Sequence, residues 1–234
     1  MSSHPPLIAV VPAAGVGQRM KSSIPKQYLH LNGKTILEHS VERLFSHPRV
    51  DTVVVAVSAD DAYFADLSLA SNPNVIRVDG GSERVNTVHN ALKWVMKNHP
   101  EAWVLVHDAA RPCVRLDDID ALISQCEVHP VGGILAAPVR DTMKRADGSG
   151  EIDHTVERIA LWHALTPQMF PATTLFSALE HALSEDAPIT DEASAFERLG
   201  LRPLLVTGRA DNLKITQPED LVLAEFYLSR FIQG

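Results

Sequence analysis

Apolar residues along the chain fall into two alternating patterns. Short runs rich in β-branched residues occur at Leu7–Pro12, Thr52–Val57, Asn74–Val78, Trp103–His107, Gly132–Val139 and Pro203–Thr207. Several are apolar at nearly every position, as in strands buried on both faces of a mostly parallel sheet. Between them lie stretches with helical spacing: Ile36–Ser46, Asp61–Leu69, Arg84–Asn98, Leu116–Glu127, Leu175–Ser184, Asp191–Leu199 and Pro218–Phe231. This βαβα rhythm predicts a doubly wound α/β fold, with a mostly parallel twisted sheet and helices on both faces. Thr35 and Glu38 have the T-x-x-E spacing of a capping box and open the first long helix.

One segment breaks the rhythm. From Val139 to Arg158 the chain reads VRDTMKRADGSGEIDHTVER. Two extended polar stretches flank Asp147-Gly148-Ser149-Gly150, a good hairpin turn. A polar hairpin has no core of its own and is marginal alone. Either it is a solvated surface hairpin or it leans on something else, such as a second subunit. With no repeat, low-complexity tract or Gly/Ser linker, residues 1–234 read as a single domain carrying a β-arm at about 139–160.

Bulk properties narrow the function. A net charge of −8 speaks against a general nucleic-acid binder. No apolar run approaches the ~18 residues of a membrane helix. The opening MSSHPPLIAVVPAAG lacks the basic region of a secretory leader. Cys113 and Cys126 stand far apart without metal-ligand spacing, which fits a reducing cytoplasm. The charge is unevenly placed. Arg19, Lys21, Lys26 and Lys34 all precede the first carboxylate, Glu38. That stretch is either reserved for an anion or a solvated loop.

The candidate chemistry sits at strand ends. The first strand runs into Pro12-Ala13-Ala14-Gly15-Val16-Gly17-Gln18-Arg19-Met20, followed by Pro25-Lys26-Gln27-Tyr28. Small residues after a strand let backbone N–H groups approach an anion. Met20 occupies the third glycine position of the dinucleotide fingerprint, which disfavours an NAD-dependent oxidoreductase. Tyr28 likewise spoils a P-loop ending at Gly33-Lys34-Thr35. What remains is a glycine loop with Arg19 and Lys26 close behind it, a combination suited to a triphosphate.

Three further sets follow. Asp79-Gly80-Gly81-Ser82-Glu83-Arg84-Val85-Asn86-Thr87 places glycines where backbone can meet a flat base, with Ser82 also a helix-cap candidate and Arg84 and Thr87 able to face a ligand. Asp108-Ala109-Ala110-Arg111 ends another strand. There Asp108 is placed to hold Mg²⁺ or a hydroxyl and Arg111 a phosphate, unless the two form only a turn ion pair. Downstream, Thr142, Arg158, Thr166, Thr190 and Lys214 put hydroxyls or cations near element ends, although Thr190 could simply cap a helix and Lys214 be a strand-edge charge. None of the 11 histidines falls in a metal-binding or nucleotidyl-transfer motif, so His107 and His163 read as structural.

From Val10 to Leu228 the strings PAAGVGQRM, PKQY, GGSERVNTV, VHDAARP, PVRDTMKR, LWHALTPQ, ITDEASA and DNLKITQPEDL together resemble the 2-C-methyl-D-erythritol 4-phosphate cytidylyltransferases, enzymes of non-mevalonate isoprene biosynthesis. The resemblance implies a Rossmann-like nucleotidyltransferase domain, a homodimer in which each protruding β-arm reaches its partner's active site, and Mg²⁺ as cofactor. It implies that Pro12, Ala13, Ala14, Gly15, Gly17, Gly81, Ser82, Arg84, Thr87 and Ala109 bind CTP, with Thr87 where the family often has Ser. Arg19, Lys26, Arg158 and Lys214 would be catalytic, the last two orienting the acceptor's phosphate. Asp108, Arg111, Thr142, Thr166 and Thr190 would hold the methylerythritol phosphate, Thr142 and Arg158 acting across the dimer. Asp108 could touch a Mg²⁺ held mainly by the CTP phosphates.

The expected chemistry is in-line attack of the acceptor's phosphate on the α-phosphorus of CTP. A phosphate monoester is already anionic, so the lack of a candidate general base is no obstacle. Two readings compete. One is a cytidylyltransferase for another polyol or sugar phosphate such as ribitol 5-phosphate. The other is a non-catalytic nucleotide-binding protein, which would bind CTP without turnover of any acceptor.

Overall fold

A computed structural model describes residues 4–15 and 24–231. In chain order these residues form β1 (Leu7–Pro12), β2 (His30–Leu31), β3 (Lys34–Thr35), α1 (Ile36–Phe45), β4 (Val50–Val57), β5 (Val75–Asp79), α2 (Arg84–Asn98), β6 (Trp103–Val106), α3 (Leu116–Cys126), β7 (Gly133–Pro138), β8 (Met143–Ala146), β9 (Ile152–Val156), β10 (Trp162–Pro171), α4 (Ala172–Ser184), α5 (Glu192–Arg198), β11 (Leu204–Thr207) and α6 (Pro218–Phe231). Seven strands make one sheet in the order β11-β7-β10-β6-β1-β4-β5. All pairings are parallel except those of β10, which runs antiparallel to both β6 and β7.

The apolar runs explain this sheet. In β1, Leu7, Ala9 and Val11 join a core with Leu37, Val41, Ile119 and Leu122, whereas Ile8 and Val10 face Val88, Leu92, Leu175 and Phe196. Alternation of side chains across the pleat thus seats α1 and α3 on one face and α2 and α4 on the other. Burying each such Val or Leu stabilises the fold by about 1.5–3 kcal/mol, so β1 is a rigid base for the loop that follows it. A smaller core of Leu31, Ile36, Ile215 and Leu228 seats α6. No helix among the described residues is long and apolar enough to cross a membrane.

From β1 the chain moves outward through β4 and β5, then returns to place β6 on the other side of β1. The order therefore reverses between β1 and β6, and a crevice opens at their carboxyl ends, where α/β proteins seat ligands.

Three local departures have physical causes. Asp61–Leu69 is not one helix but two short 3₁₀ turns, Phe64–Asp66 and Ser68–Ser71. The Asp61 carboxylate accepts from the backbone N–H groups of Tyr63 (3.0 Å) and Phe64 (2.8 Å), a local turn that competes with helix. Strand β10 was not anticipated. Its interior Pro167 and the register shift between Ala164 and Gln168 disguise it, because proline removes a ladder donor. Finally, Lys34 and Thr35 belong to a small hairpin whose turn, Asn32 (φ 49°) and Gly33 (φ 84°), needs left-handed backbone at both positions. The capping box of Thr35 and Glu38 on α1 is present as expected.

The arm is the β8–β9 ribbon, paired from Met143↔Val156 to Ala146↔Ile152 and packed into neither face of the main sheet. Its turn is organised by Asp147, whose Oδ1 accepts from the Ser149 and Glu151 backbones (2.9 and 3.0 Å). Met143, Ile152 and Ile159 lie exposed along it.

Candidate active site

A cleft with a cavity volume of about 190 Å³, open to solvent on one side, occupies the crevice. Its floor is the end of β1. Pro12, Ala13, Ala14 and Gly15 line it. The Ala13 N–H donates to the Ala56 carbonyl (2.8 Å), and the buried Gln27 amide donates to the Ala13 carbonyl (2.6 Å). The loop is thus tied on both sides before any ligand arrives. Gly17 and Arg19 lie outside the described residues.

Lys26 enters the cleft from a 3₁₀ turn, Lys26–Tyr28. Its Nζ donates to the Ile215 carbonyl (2.9 Å). The turn is anchored by Tyr28, whose hydroxyl donates to Asp61 Oδ2 (2.7 Å) and whose ring stacks on Tyr63 at 5.0 Å. Burial, then the Asp61 hydrogen bond and charge, push the Tyr28 phenol far above its ordinary pKa, so it stays neutral.

The opposite wall is the Gly80–Gly81 turn and the start of α2. A Cβ on Gly80 would sit 2.5 Å from the Ala14 Cβ, and one on Gly81 would collide with Asn86. Both glycines are therefore required by the protein's own packing. The Thr87 hydroxyl accepts from the Gly81 N–H (3.0 Å) and donates to the Glu83 carbonyl (2.9 Å). Thr87 lines the cleft but spends its hydroxyl shaping the turn. Ser82 lines the cleft too, and it is not the helix cap. That position is Glu83, which makes no side-chain cap bond, while Ser82 Oγ reaches Asn86 at 3.3 Å.

Asp108 and Ala109 follow β6 and close the third side, facing Lys214. Asp108 Oδ1 accepts from Arg84 Nε (3.1 Å), and its Oδ2 meets Lys214 Nζ (2.8 Å) and Arg111 Nε (3.6 Å). Arg84 in turn donates both terminal nitrogens to Glu192 (2.7 and 3.0 Å). Burial opposes ionisation of Asp108, but the charges of Arg84, Lys214 and Arg111 outweigh it and hold the carboxyl far below its usual range. Burial likewise works against the Arg84 charge, and Glu192 and Asp108 more than compensate. Arg84, Arg111 and Lys214 exceed Asp108 and Glu192 by one positive charge.

A second tier stands behind Asp108. The Thr166 hydroxyl accepts from the Asp108 N–H (3.1 Å) and donates to Nδ1 of His107 (3.0 Å). His107 Nε2 donates to the Arg111 carbonyl (2.9 Å), and burial pulls the ring's pKa from 6.5 to about 4. Asn212 donates to the Thr166 carbonyl (2.7 Å), and its own carbonyl accepts from Arg111 Nη1 (2.6 Å). His107 is therefore structural, as its sequence context implies. Thr166 and Arg111, expected to hold the acceptor, stand behind Asp108 and do not line this cleft.

Three expected residues are not brought into this cleft by their own chain. Thr142 and Arg158 line a separate shallow pocket on the arm, where Arg158 donates to the Arg140 carbonyl. Thr190 is exposed beside α5, and Asp191, not Thr190, caps that helix. The donor set also argues against Asp108 as ligand of a resident Mg²⁺. It is one carboxylate already shared by three cations, and no cluster of three metal-ligating side chains occurs among the described residues.

Sequence reasoning missed Gln27, Gln168, Glu192 and Asn212. All four are buried polar side chains. Each lies inside or beside a recognised motif, but only the fold reveals which backbone group or cation it meets.

A small-residue loop at the switch point of a doubly wound sheet, with lysines converging on it, defines an α/β nucleotidyltransferase of Rossmann-like architecture. A profile of the 2-C-methyl-D-erythritol 4-phosphate cytidylyltransferase family matches residues 7–230, and the chain belongs to that family. It is 64% identical over 224 residues to the cytidylyltransferase of that name from Vibrio atlanticus, covering 96% of each chain. Among solved structures it resembles a 4-diphosphocytidyl-2C-methyl-D-erythritol synthase with a TM-score of 0.83 at 41% identity, covering 96% of this chain and 99% of the other. It also resembles the Francisella tularensis 2-C-methyl-D-erythritol 4-phosphate cytidylyltransferase, with a TM-score of 0.81 at 35% identity over 94% of this chain and 99% of the other.

Proposed function

We propose that this enzyme transfers CMP from CTP to 2-C-methyl-D-erythritol 4-phosphate, giving 4-diphosphocytidyl-2-C-methyl-D-erythritol and pyrophosphate. Family membership supports the substrates. The observation that carries the chemistry is the convergence of Lys26 and Lys214 on the cleft closed by the β1 loop.

The reaction joins two anions. An oxygen of the acceptor's phosphate attacks the α-phosphorus of CTP, the new P–O bond forms, and the bond to the β-phosphate oxygen breaks. The electron pair leaves with pyrophosphate. The attacking phosphate is largely dianionic at neutral pH because its second pKa is about 6, so no general base is needed. The obstacle is repulsion, and the residues act by positioning and neutralising charge. In this reading Ala14 and Gly15 offer backbone to the triphosphate, and Gly81, Ser82 and Ala109 border the nucleoside. Lys26 and Arg19 offset charge building on the α-phosphate. Lys214, aimed by Asp108, orients the acceptor. Mg²⁺ enters as the counter-ion of the triphosphate rather than as a resident of the protein, and supplies further neutralisation when bound.

The same reading makes the molecule a homodimer through its arms. The ribbon packs on neither face of its own sheet, exposes Met143, Ile152 and Ile159, and carries Thr142 and Arg158 away from the cleft. Delivery of these two residues to a partner's cleft, with the apolar side chains against that partner, accounts for all three facts. The enzyme would work in the cytoplasm, consistent with two buried free cysteines.

The test is to incubate the protein with CTP, Mg²⁺ and methylerythritol phosphate and to follow pyrophosphate and the cytidine diphosphate ester by mass spectrometry. Both products in equal amounts are expected, with ribitol 5-phosphate reacting far more slowly. CTP binding without turnover of either acceptor would leave a nucleotide-binding protein instead.

A further inference from the structure

Glu192 is an odd neighbour for a site that must gather anions. It is 1% exposed, and its charge cancels one of the cations beside the cleft. Its charge compensates the burial of Arg84 but works against a bound anion, so any help it gives the reaction must be geometric. Its mount is rigid. Glu192 is the first residue of α5, whose Asp191 cap accepts from the Ser194 N–H (3.0 Å). The buried Gln168 side chain on β10 clamps this turn from below, donating to Asp191 Oδ2 (2.9 Å) and accepting from the Ala193 N–H (3.0 Å).

From that mount Glu192 takes both terminal nitrogens of Arg84. That end-on pairing fixes the plane of the guanidinium, and from it Nε reaches Asp108 at Oδ1 alone. Oδ2 stays turned toward Lys214 at 2.8 Å. We propose that Glu192 is a positioning residue: by holding the fork of Arg84 end-on it fixes the guanidinium with Nε on Asp108 Oδ1, and so keeps Oδ2 aiming Lys214 at the acceptor's phosphate. Without Glu192 the fork's best remaining acceptor is Asp108 itself, because paired guanidinium–carboxylate contacts are the strong ones. Arg84 would then displace Lys214 from Oδ2, and the ammonium would lose its direction. This inference rests on the reading of Lys214 as the group that orients the acceptor.

The test uses Glu192→Gln, which keeps the shape but sets an amide NH₂ against the guanidinium, and Glu192→Asp, which keeps the charge. One readout is independent of activity. Lysines are ¹³C-dimethylated, and the Lys214 resonance is identified by its loss in Lys214→Arg. In folded Glu192→Gln this resonance should move, and it should lie nearer the wild-type position in Glu192→Asp. The second readout is kinetic. For Glu192→Gln, kcat/KM for the acceptor should fall about 10²-fold, as for a reacting group misplaced by about 1 Å, with the KM for CTP unchanged. Glu192→Asp should recover part of the loss. An unmoved Lys214 resonance, or a loss shared equally by CTP and acceptor, would overturn the proposal. If Glu192→Gln does not fold, Glu192→Asp carries both readouts against wild type, with smaller changes of the same kind expected. If the wild type transfers nothing to the acceptor, the transferase reading falls, while the Lys214 resonance still decides the role of Glu192.

Discussion

Acidification should loosen the bracket behind Asp108, and His107 sets where. Its ring is fully buried, and only the neutral form with its proton on Nε2 satisfies both contacts, donating to the Arg111 carbonyl and accepting from Thr166. A second proton on Nδ1 would face Thr166 Oγ1, which already accepts from the Asp108 N–H. Burial is the main cause of the fall from 6.5 to about 4, with the Arg111 charge adding to it. The sign follows from linkage. Below pH 6.5 the unfolded chain binds a proton that the native protein refuses until about 4. The stability associated with His107 is therefore complete above pH 6.5 and lost progressively as pH falls toward 4. From about pH 7 to about pH 5 the loss is about 2 kcal/mol, since each pKa unit is worth about 1.4 kcal/mol. Urea unfolding at those two pH values, on wild type and on His107→Gln, isolates this share because the other histidines titrate in both proteins. The variant, whose amide nitrogen can still reach the Arg111 carbonyl, should be less stable at the higher pH. Between the two pH values it should lose about 2 kcal/mol less than wild type. Equal pH dependence in the two proteins would refute the reasoning.

Two further outcomes follow from the cleft and the arm. Gly15→Ala should fold and melt like wild type, since among the described residues nothing lies within 4 Å of the added Cβ, yet bind CTP poorly because Gly15 lines the cleft; Gly81→Ala should lose thermal stability as well, through collision with Asn86. Thermal melts paired with CTP titration separate the two, and unchanged CTP affinity in Gly15→Ala would remove the loop from the nucleotide site. If the arm acts in trans, Arg158→Ala and Lys26→Ala homodimers should each be nearly inactive, while refolding them together should restore turnover through hybrid dimers with one intact site. No recovery on mixing, with hybrids confirmed by mass, would contradict exchange of arms.

Much of this architecture was legible in the chain because it depends on local pattern. Leu7–Pro12 and Arg84–Asn98 appear with the expected ends, since unbroken apolar runs and helical spacing are local signals. The cleft was legible as a set of strand-end motifs, because a parallel sheet brings its carboxyl ends to one side. Roles within the set were not. Nothing local shows that Arg84, which lines the cleft, is also held by Glu192, more than a hundred residues later. Nothing near Thr166 or Arg111 in the chain signals the contacts they make with His107 and Asn212. Strand β10 was hidden by its proline, and the Asp61 segment was misread as helix because an aspartate side chain outcompeted the helical backbone.

The central claim is that cations behind the first glycine loop let two phosphates react. Turnover of Lys26→Ala, measured as pyrophosphate release with saturating CTP and acceptor, tests it most directly. Loss of one positioned cation removes roughly 3 kcal/mol of transition-state stabilisation, so a folded variant should be slower by about 10²–10³. Near-wild-type turnover in that variant would contradict the account.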